Sequence, residues 1–159
     1  MRTGILGGVF NPPHLGHLIC AQEAHTRLEL DLVLLVPVGE APHREIDQEP
    51  GPDVRARLCE YAVAGDGRLS LSRVEVDRPG PSYSVDTLRL LREQAPDDEF
   101  TVILGADQAT RLLGWREPEI VLSLAKVAVA ARQGVEREAV LGHLDGLDGS
   151  EKIVFFDIP

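Results

Sequence analysis

Basic residues are scarce in this chain of 159 residues. Lysine and arginine number 16 against 26 acids, for a formal net charge of −10. That deficit argues against broad nucleic-acid or anionic-membrane binding, because both require a large basic surface. It leaves room for a small basic pocket in an acidic body. Cysteine is nearly absent. Cys20 and Cys59 stand far apart and in no Cys-x-x-Cys pattern, so disulfide scaffolding is not indicated and a reducing cytoplasm fits. Each lies in an apolar helical register and is expected as a buried thiol. Long apolar runs are missing too. The longest, Ile120 to Ala131, is broken by Ser123 and Lys126 and falls short of the roughly 20 residues that span a bilayer. The N-terminus has no apolar core of a secretory signal. There is no internal repeat and no low-complexity linker.

What is present has a globular balance, with 43% hydrophobic and 26% charged residues. The length fits one domain, and a domain of this size buries about 70% of the surface its unfolded chain exposes. Short apolar runs alternate with amphipathic ones, the pattern of an α/β fold. Strands are expected at about 3–7, 31–37, 69–77, 99–105, 125–131 and 152–158. The run at 31–37 is continuously apolar, as for a parallel strand covered on both faces. In the 69–77 segment Leu69 and Leu71 are in one phase and Val74 and Val76 in the other, so a bulge near Ser72 is expected. Helices are expected at 14–28, with Leu15, Leu18, Ile19, Ala21 and Leu28 as apolar members, and at 53–64, with Val54, Leu58, Tyr61 and Ala62 as the apolar face. Others are expected at 82–94, 107–113, 117–124 and 136–144. Ser82 or Ser84 is the expected N-cap of the helix that they open.

The stretch from Gly7 to His17 organises the rest. Gly7 and Gly8 follow an apolar strand; an Asn-Pro-Pro turn signal comes next, then His14, Gly16 and His17 at a helix start. A glycine loop there leaves backbone N–H groups bare at the positive end of a helix dipole, which suits a phosphate. Positions i and i+3 share a helix face, so His14 and His17 point together over the first turn. Two imidazole donors and free N–H groups make a cradle for a polyphosphate. Gly16 lets a flat ring approach the backbone closely. A metal would need a third ligand, and no Cys, Asp or Glu stands at suitable spacing.

Gly-Gly-Val9-Phe10-Asn-Pro-Pro-His-x-Gly-His resembles the signature of the nucleotidylyltransferase superfamily. Over nearly its full length the chain resembles the bacterial nicotinate mononucleotide adenylyltransferase family. That resemblance implies a Rossmann-like open, twisted, mostly parallel sheet with helices on both faces. It implies ATP and nicotinate mononucleotide as partners, with catalysis at His14 and His17 and with Gly7, Gly8, Val9, Phe10 and Gly16 cradling phosphate. Val9 stands where many relatives carry Thr or Ser, so a hydroxyl donor is lost while the backbone N–H stays. Pro42-His43-Arg44 is similar to the family's Pro-His-Lys segment near the phosphates. Arg132, at a strand end, corresponds to an arginine near the same groups. Gly105-Ala106-Asp107 resembles the Gly-x-Asp that faces adenosine, where a carboxylate can accept bonds from ribose hydroxyls; by itself Asp107 also reads as an N-cap. Ser82-Tyr83-Ser84-Val85-Asp86-Thr87-Leu88 is similar to a Ser-Tyr-Thr-x-x-Thr-Leu motif beside the pyridine ring. It makes Thr87 a candidate donor to the ring substituent, Ser84 a neighbour, and Tyr83 a pocket or packing residue. Trp115, the lone tryptophan, reads either as core or as a stacking platform for a pyridinium.

The implied reaction is adenylyl transfer from ATP to nicotinate mononucleotide, with Mg²⁺ held mainly by the substrate phosphates. In the resembled family an Ile-Ser-Ser-Thr/Ser-x-x-Arg motif follows the last strand. None follows Phe156, so the expectation is one domain, 1–159, without that phosphate-binding helix and with weak ATP binding. Two alternatives stand beside this reading. One is another adenylyltransferase, such as one acting on phosphopantetheine; the other is a non-catalytic nucleotide-binding module. The chain could act as a homo-oligomer, and its sequence does not choose between nicotinate and nicotinamide ligands.

Overall fold

The computed structural model describes residues 1–42, 45–131 and 133–159, without the side chains of 133–135. Its centre is a sheet of six parallel strands: β1 (Arg2–Gly8), β2 (Leu32–Pro37), β3 (Leu69–Leu71), β4 (Glu99–Gly105), β5 (Lys126–Ala130) and β6 (Ile153–Phe156). They lie in the order β3-β2-β1-β4-β5-β6. The chain works outward from β1 in one direction, then returns to its other side. Between β1 and β4 the order reverses, and that gap, at the carboxyl ends, is where open α/β sheets hold ligands. Gly8 lies level with Pro37 and Leu6 with Ile103, so the strand ends gather at one edge.

The helices are α1 (Leu15–Arg27), α2 (Pro52–Val63), α3 (Ser84–Gln94), α4 (Ala106–Ala109), α5 (Pro118–Leu124) and α6 (Gln133–His143), with short 3₁₀ turns at Leu112–Gly114 and Ser150–Lys152. Strand side chains alternate between two cores. Val102, Leu104, Val127 and Val129 pack on one face with Val85 and Leu88 of α3 and Val121 of α5. Ile103, Ala128, Leu6, Val33 and Leu35 pack on the other with Ala21 and Ala24 of α1 and Cys59 and Val63 of α2. This double burial is why the strands read as unbroken apolar runs. Among the described residues no helix is long and apolar enough to cross a membrane.

Four expectations are corrected. The third strand stops at Leu71; residues 74–77 form a turn, closed by the Asp77 N–H on the Arg73 carbonyl at 2.8 Å. The change of apolar phase at Ser72 marks a strand end rather than a bulge. The buried face of α2 is Arg55, Ala56, Cys59 and Val63, while Val54 is exposed and Tyr61 is 72% exposed. Small residues face the sheet because they let the helix approach it closely. Leu15, expected among the apolar members of α1, is 70% exposed and does not join the core. The N-cap of α3 is Tyr83, with no side-chain cap; Ser82 Oγ instead accepts the Gly39 N–H at 3.3 Å. Cys59 is buried as expected, and Cys20 is half-buried.

Candidate active site

The β1 strand delivers Gly7 and Gly8 to the carboxyl edge, and the chain turns there toward α1. Phe10, fully buried, takes a left-handed backbone with φ 52°. His14 is the N-cap of α1 in extended conformation, and His17 is its third residue. The two imidazoles stack, with centroids 3.7 Å apart and planes 22° from parallel. The flat ring that approaches Gly16 is His14's own: a Cβ at that glycine would stand 3.0 Å from two of its atoms. Phe10 meets His17 edge-on at 4.7 Å.

The orientation of His17 is set by the main chain. Its Nδ1 accepts the His14 backbone N–H at 3.0 Å. In the neutral ring the proton then sits on Nε2, leaving that atom free to donate. Burial, and secondarily the charge of His14, lower the His17 pKa from 6.5 to about 4. His17 is therefore a neutral hydrogen-bond donor near neutral pH.

Beside this loop opens a cavity of about 720 Å³, lined by Gly7, Gly8, Val9, Ser84, Thr87 and Trp115 among others. Trp115 is half-buried, its body against the core and its remainder toward the cavity. The Thr87 hydroxyl is engaged within the protein: it lies 2.9 Å from Glu75 Oε2 and 3.2 Å from the Tyr83 carbonyl as donor, and accepts from Arg78 Nη2 at 3.1 Å. Its single proton is thus already committed. Glu75 also lines the cavity. Burial raises its pKa from 4.5 to about 7, against the Thr87 hydrogen bond and the Arg78 charge, which lower it.

Gly105 ends β4 and caps α4; its N–H donates to Gln108 Oε1 at 3.2 Å. Gln108 and Arg111 line the cavity, whereas Asp107 is exposed one residue away and is not part of its wall. Tyr83 stands off the wall with the Arg116 guanidinium 4.7 Å above its ring. His43, Arg44 and Arg132 lie outside the described residues. Among the described residues no three His, Cys, Asp or Glu side chains cluster as a metal site.

Arg55 and Glu75 were missed by the sequence reading. Arg55 is 0% exposed and fully hydrogen-bonded, to Glu49 and to the carbonyls of Val9, Val38 and Gly39. The available signal was an arginine in register with the small apolar stripe Ala56, Cys59 and Val63. For Glu75 it was a lone carboxylate between Val74 and Val76.

The chain that carries this glycine loop and these paired imidazoles at the switch point of a parallel sheet belongs to the cytidylyltransferase-like family, whose model matches residues 5–157. Its curated relatives are more particular. It is 44% identical over 138 residues to a probable nicotinate-nucleotide adenylyltransferase of Thermus thermophilus, covering 87% of this chain and 73% of that one. It is 40% identical over 144 residues to the Geobacter sulfurreducens protein of the same name, covering 91% and 67%. The fold is similar to that of the Plasmodium falciparum nicotinic acid mononucleotide adenylyltransferase complexed with NaAD. There the TM-score is 0.76 at 17% identity, over 99% of this chain and 75% of that one.

Proposed function

We propose that this nucleotidyltransferase moves the adenylyl group of ATP to nicotinate mononucleotide, releasing pyrophosphate and forming nicotinate adenine dinucleotide, a step of NAD biosynthesis. The observation that carries the reading is the stacked His14–His17 pair at the head of α1, which follows directly on the Gly7–Val9 loop; that loop lines a cavity large enough for a mononucleotide, while the imidazoles themselves are not part of its wall. Curated relatives named nicotinate-nucleotide adenylyltransferase support it.

A phosphate oxygen of the mononucleotide attacks the α-phosphorus of ATP. The bond from that phosphorus to the bridging oxygen breaks, and pyrophosphate leaves with the electron pair. The attacking phosphate is already anionic near neutral pH, so no protein nucleophile or strong base is needed. The protein's work is positioning and charge stabilisation. Nε2–H of His17 donates to a phosphate oxygen as charge shifts toward the leaving group, with His14 stacked against it. The N–H groups of Gly8 and Val9 and the start of α1 hold neighbouring oxygens. Trp115 offers a face to the pyridinium, and Ser84 and Thr87 close the wall behind it. Gly105 and Asp107 serve the adenosine, and His43, Arg44 and Arg132 the phosphates. Mg²⁺ enters on ATP as part of the substrate.

The test is pyrophosphate release from ATP with nicotinate mononucleotide, nicotinamide mononucleotide and phosphopantetheine offered separately. Release is expected with nicotinate mononucleotide foremost. Release only with phosphopantetheine, or with none of them, overturns the reading.

A further inference from the structure

All five N–H donors of Arg55 are engaged. Nε and Nη2 donate to the two oxygens of Glu49 at 2.8 and 3.0 Å. Nη2 also donates to the Gly39 carbonyl at 3.1 Å, and Nη1 to the carbonyls of Val9 at 2.9 Å and Val38 at 2.7 Å. These acceptors come from three segments: the loop after β1, the turn after β2, and the approach to α2. The Asn11 amide adds a second tie between the first and third, donating to the Asp47 carbonyl at 3.1 Å. A cation is kept inside a protein only where its donors are met, so the guanidinium holds the three segments at fixed spacing. Its hydrogen bonds in turn hold the Glu49 carboxyl below its ordinary pKa.

The contacts continue from Val9. Phe10 follows it in left-handed backbone, which a bulky side chain adopts only when its surroundings impose it. The edge of its buried ring meets His17, and His17 stacks on His14. Arg55 itself does not line the cavity. We propose that Arg55 is a positioning residue for adenylyl transfer: by gripping the Val9 carbonyl it keeps Phe10 in its left-handed conformation and thereby sets the two imidazoles over the head of α1. The proposal rests on the function given above. Lysine cannot replace the group, because three donors on one nitrogen do not reach acceptors on three segments in the fork geometry of a guanidinium.

The experiment uses the full chain with Arg55→Lys, its fold checked by circular dichroism. Two readouts are taken: steady-state kinetics of pyrophosphate release, and an NMR pH titration of the His17 ring without substrate. Arg55→Lys is expected to lower kcat about tenfold or more, as misplaced catalytic groups do, with KM for nicotinate mononucleotide within about threefold. The His17 pKa is expected to rise from about 4 by about one unit or more as the Phe10 edge withdraws and burial lessens. A uniform loss of stability moves neither value in the folded fraction. If either stays at its wild-type value in folded Arg55→Lys, the proposal is overturned. Should that variant not fold, Phe10→Leu cuts the same relay one step on while keeping Arg55. The same two changes are expected there, and an unchanged value of either overturns the proposal. A wild-type chain that releases no pyrophosphate sinks the functional reading, and the substrate-free titration then decides this proposal alone.

Discussion

Replacing Glu75 by glutamine tests the electrostatics of the cavity wall. The carboxyl is buried beside Thr87, with Arg78 the cation nearest in effect. Burial lifts its pKa from 4.5 to about 7. Near 1.4 kcal/mol per unit, the ionised carboxylate costs the folded chain about 3 kcal/mol relative to the unfolded one. The sign follows from proton counting. Below about pH 4.5 both states hold the proton and nothing is lost. Between about 4.5 and 7 the unfolded chain has released it and the folded chain has not, so stability falls as pH rises. Above 7 both have released it and the loss is complete. Glutamine keeps the shape and an acceptor for Thr87 but does not titrate. Urea unfolding followed by Trp115 fluorescence, from pH 5 to 8, is the assay. The free energy of Glu75→Gln is expected to gain on wild type progressively across that range, toward about 3 kcal/mol in total, most of it above pH 5. Two curves that stay parallel throughout refute the argument and place the Glu75 carboxylate in contact with water or a closer cation.

Three further outcomes follow from the site. His17→Ala should cut kcat about 100-fold or more, the scale of one lost transition-state donor; near-normal turnover would remove His17 from the chemistry. Gly16→Ala should slow turnover, because the new Cβ would stand 3.0 Å from two atoms of the His14 ring and push it from its stack on His17. A fully active variant would contradict the stacking role. Trp115 fluorescence should quench as nicotinate mononucleotide saturates the protein, and an unchanged spectrum would set the indole apart from the ring.

The parts of this protein that were legible in its sequence are the contiguous ones. Gly7 to His17 carries loop, cap and paired rings within eleven consecutive residues, so spacing alone brings His14 and His17 to one side of a helix start. The strands were legible because Val102, Ile103 and Leu104 alternate between two cores and so leave no polar face. The outward face of α2 misled because Val54 and Tyr61 are more hydrophobic than the alanine and cysteine that pack on the sheet. Close approach, rather than hydrophobicity, selects those small side chains. Arg55 was illegible for a different reason: its partners at residues 9, 38, 39 and 49 come together only when three segments are folded. The hydroxyl of Thr87 shows the same limit, because its commitment to Glu75 crosses from the turn after β3 to α3.

The main-chain bond that pins His17 has a physiological corollary. A ring whose inner nitrogen is held by an amide, and whose pKa lies at about 4, offers the same hydrogen atom at pH 6 as at pH 8. In the proposed transfer, a donor of this kind does not wait for a proton to arrive from solvent, whereas an ordinary histidine changes charge within that range.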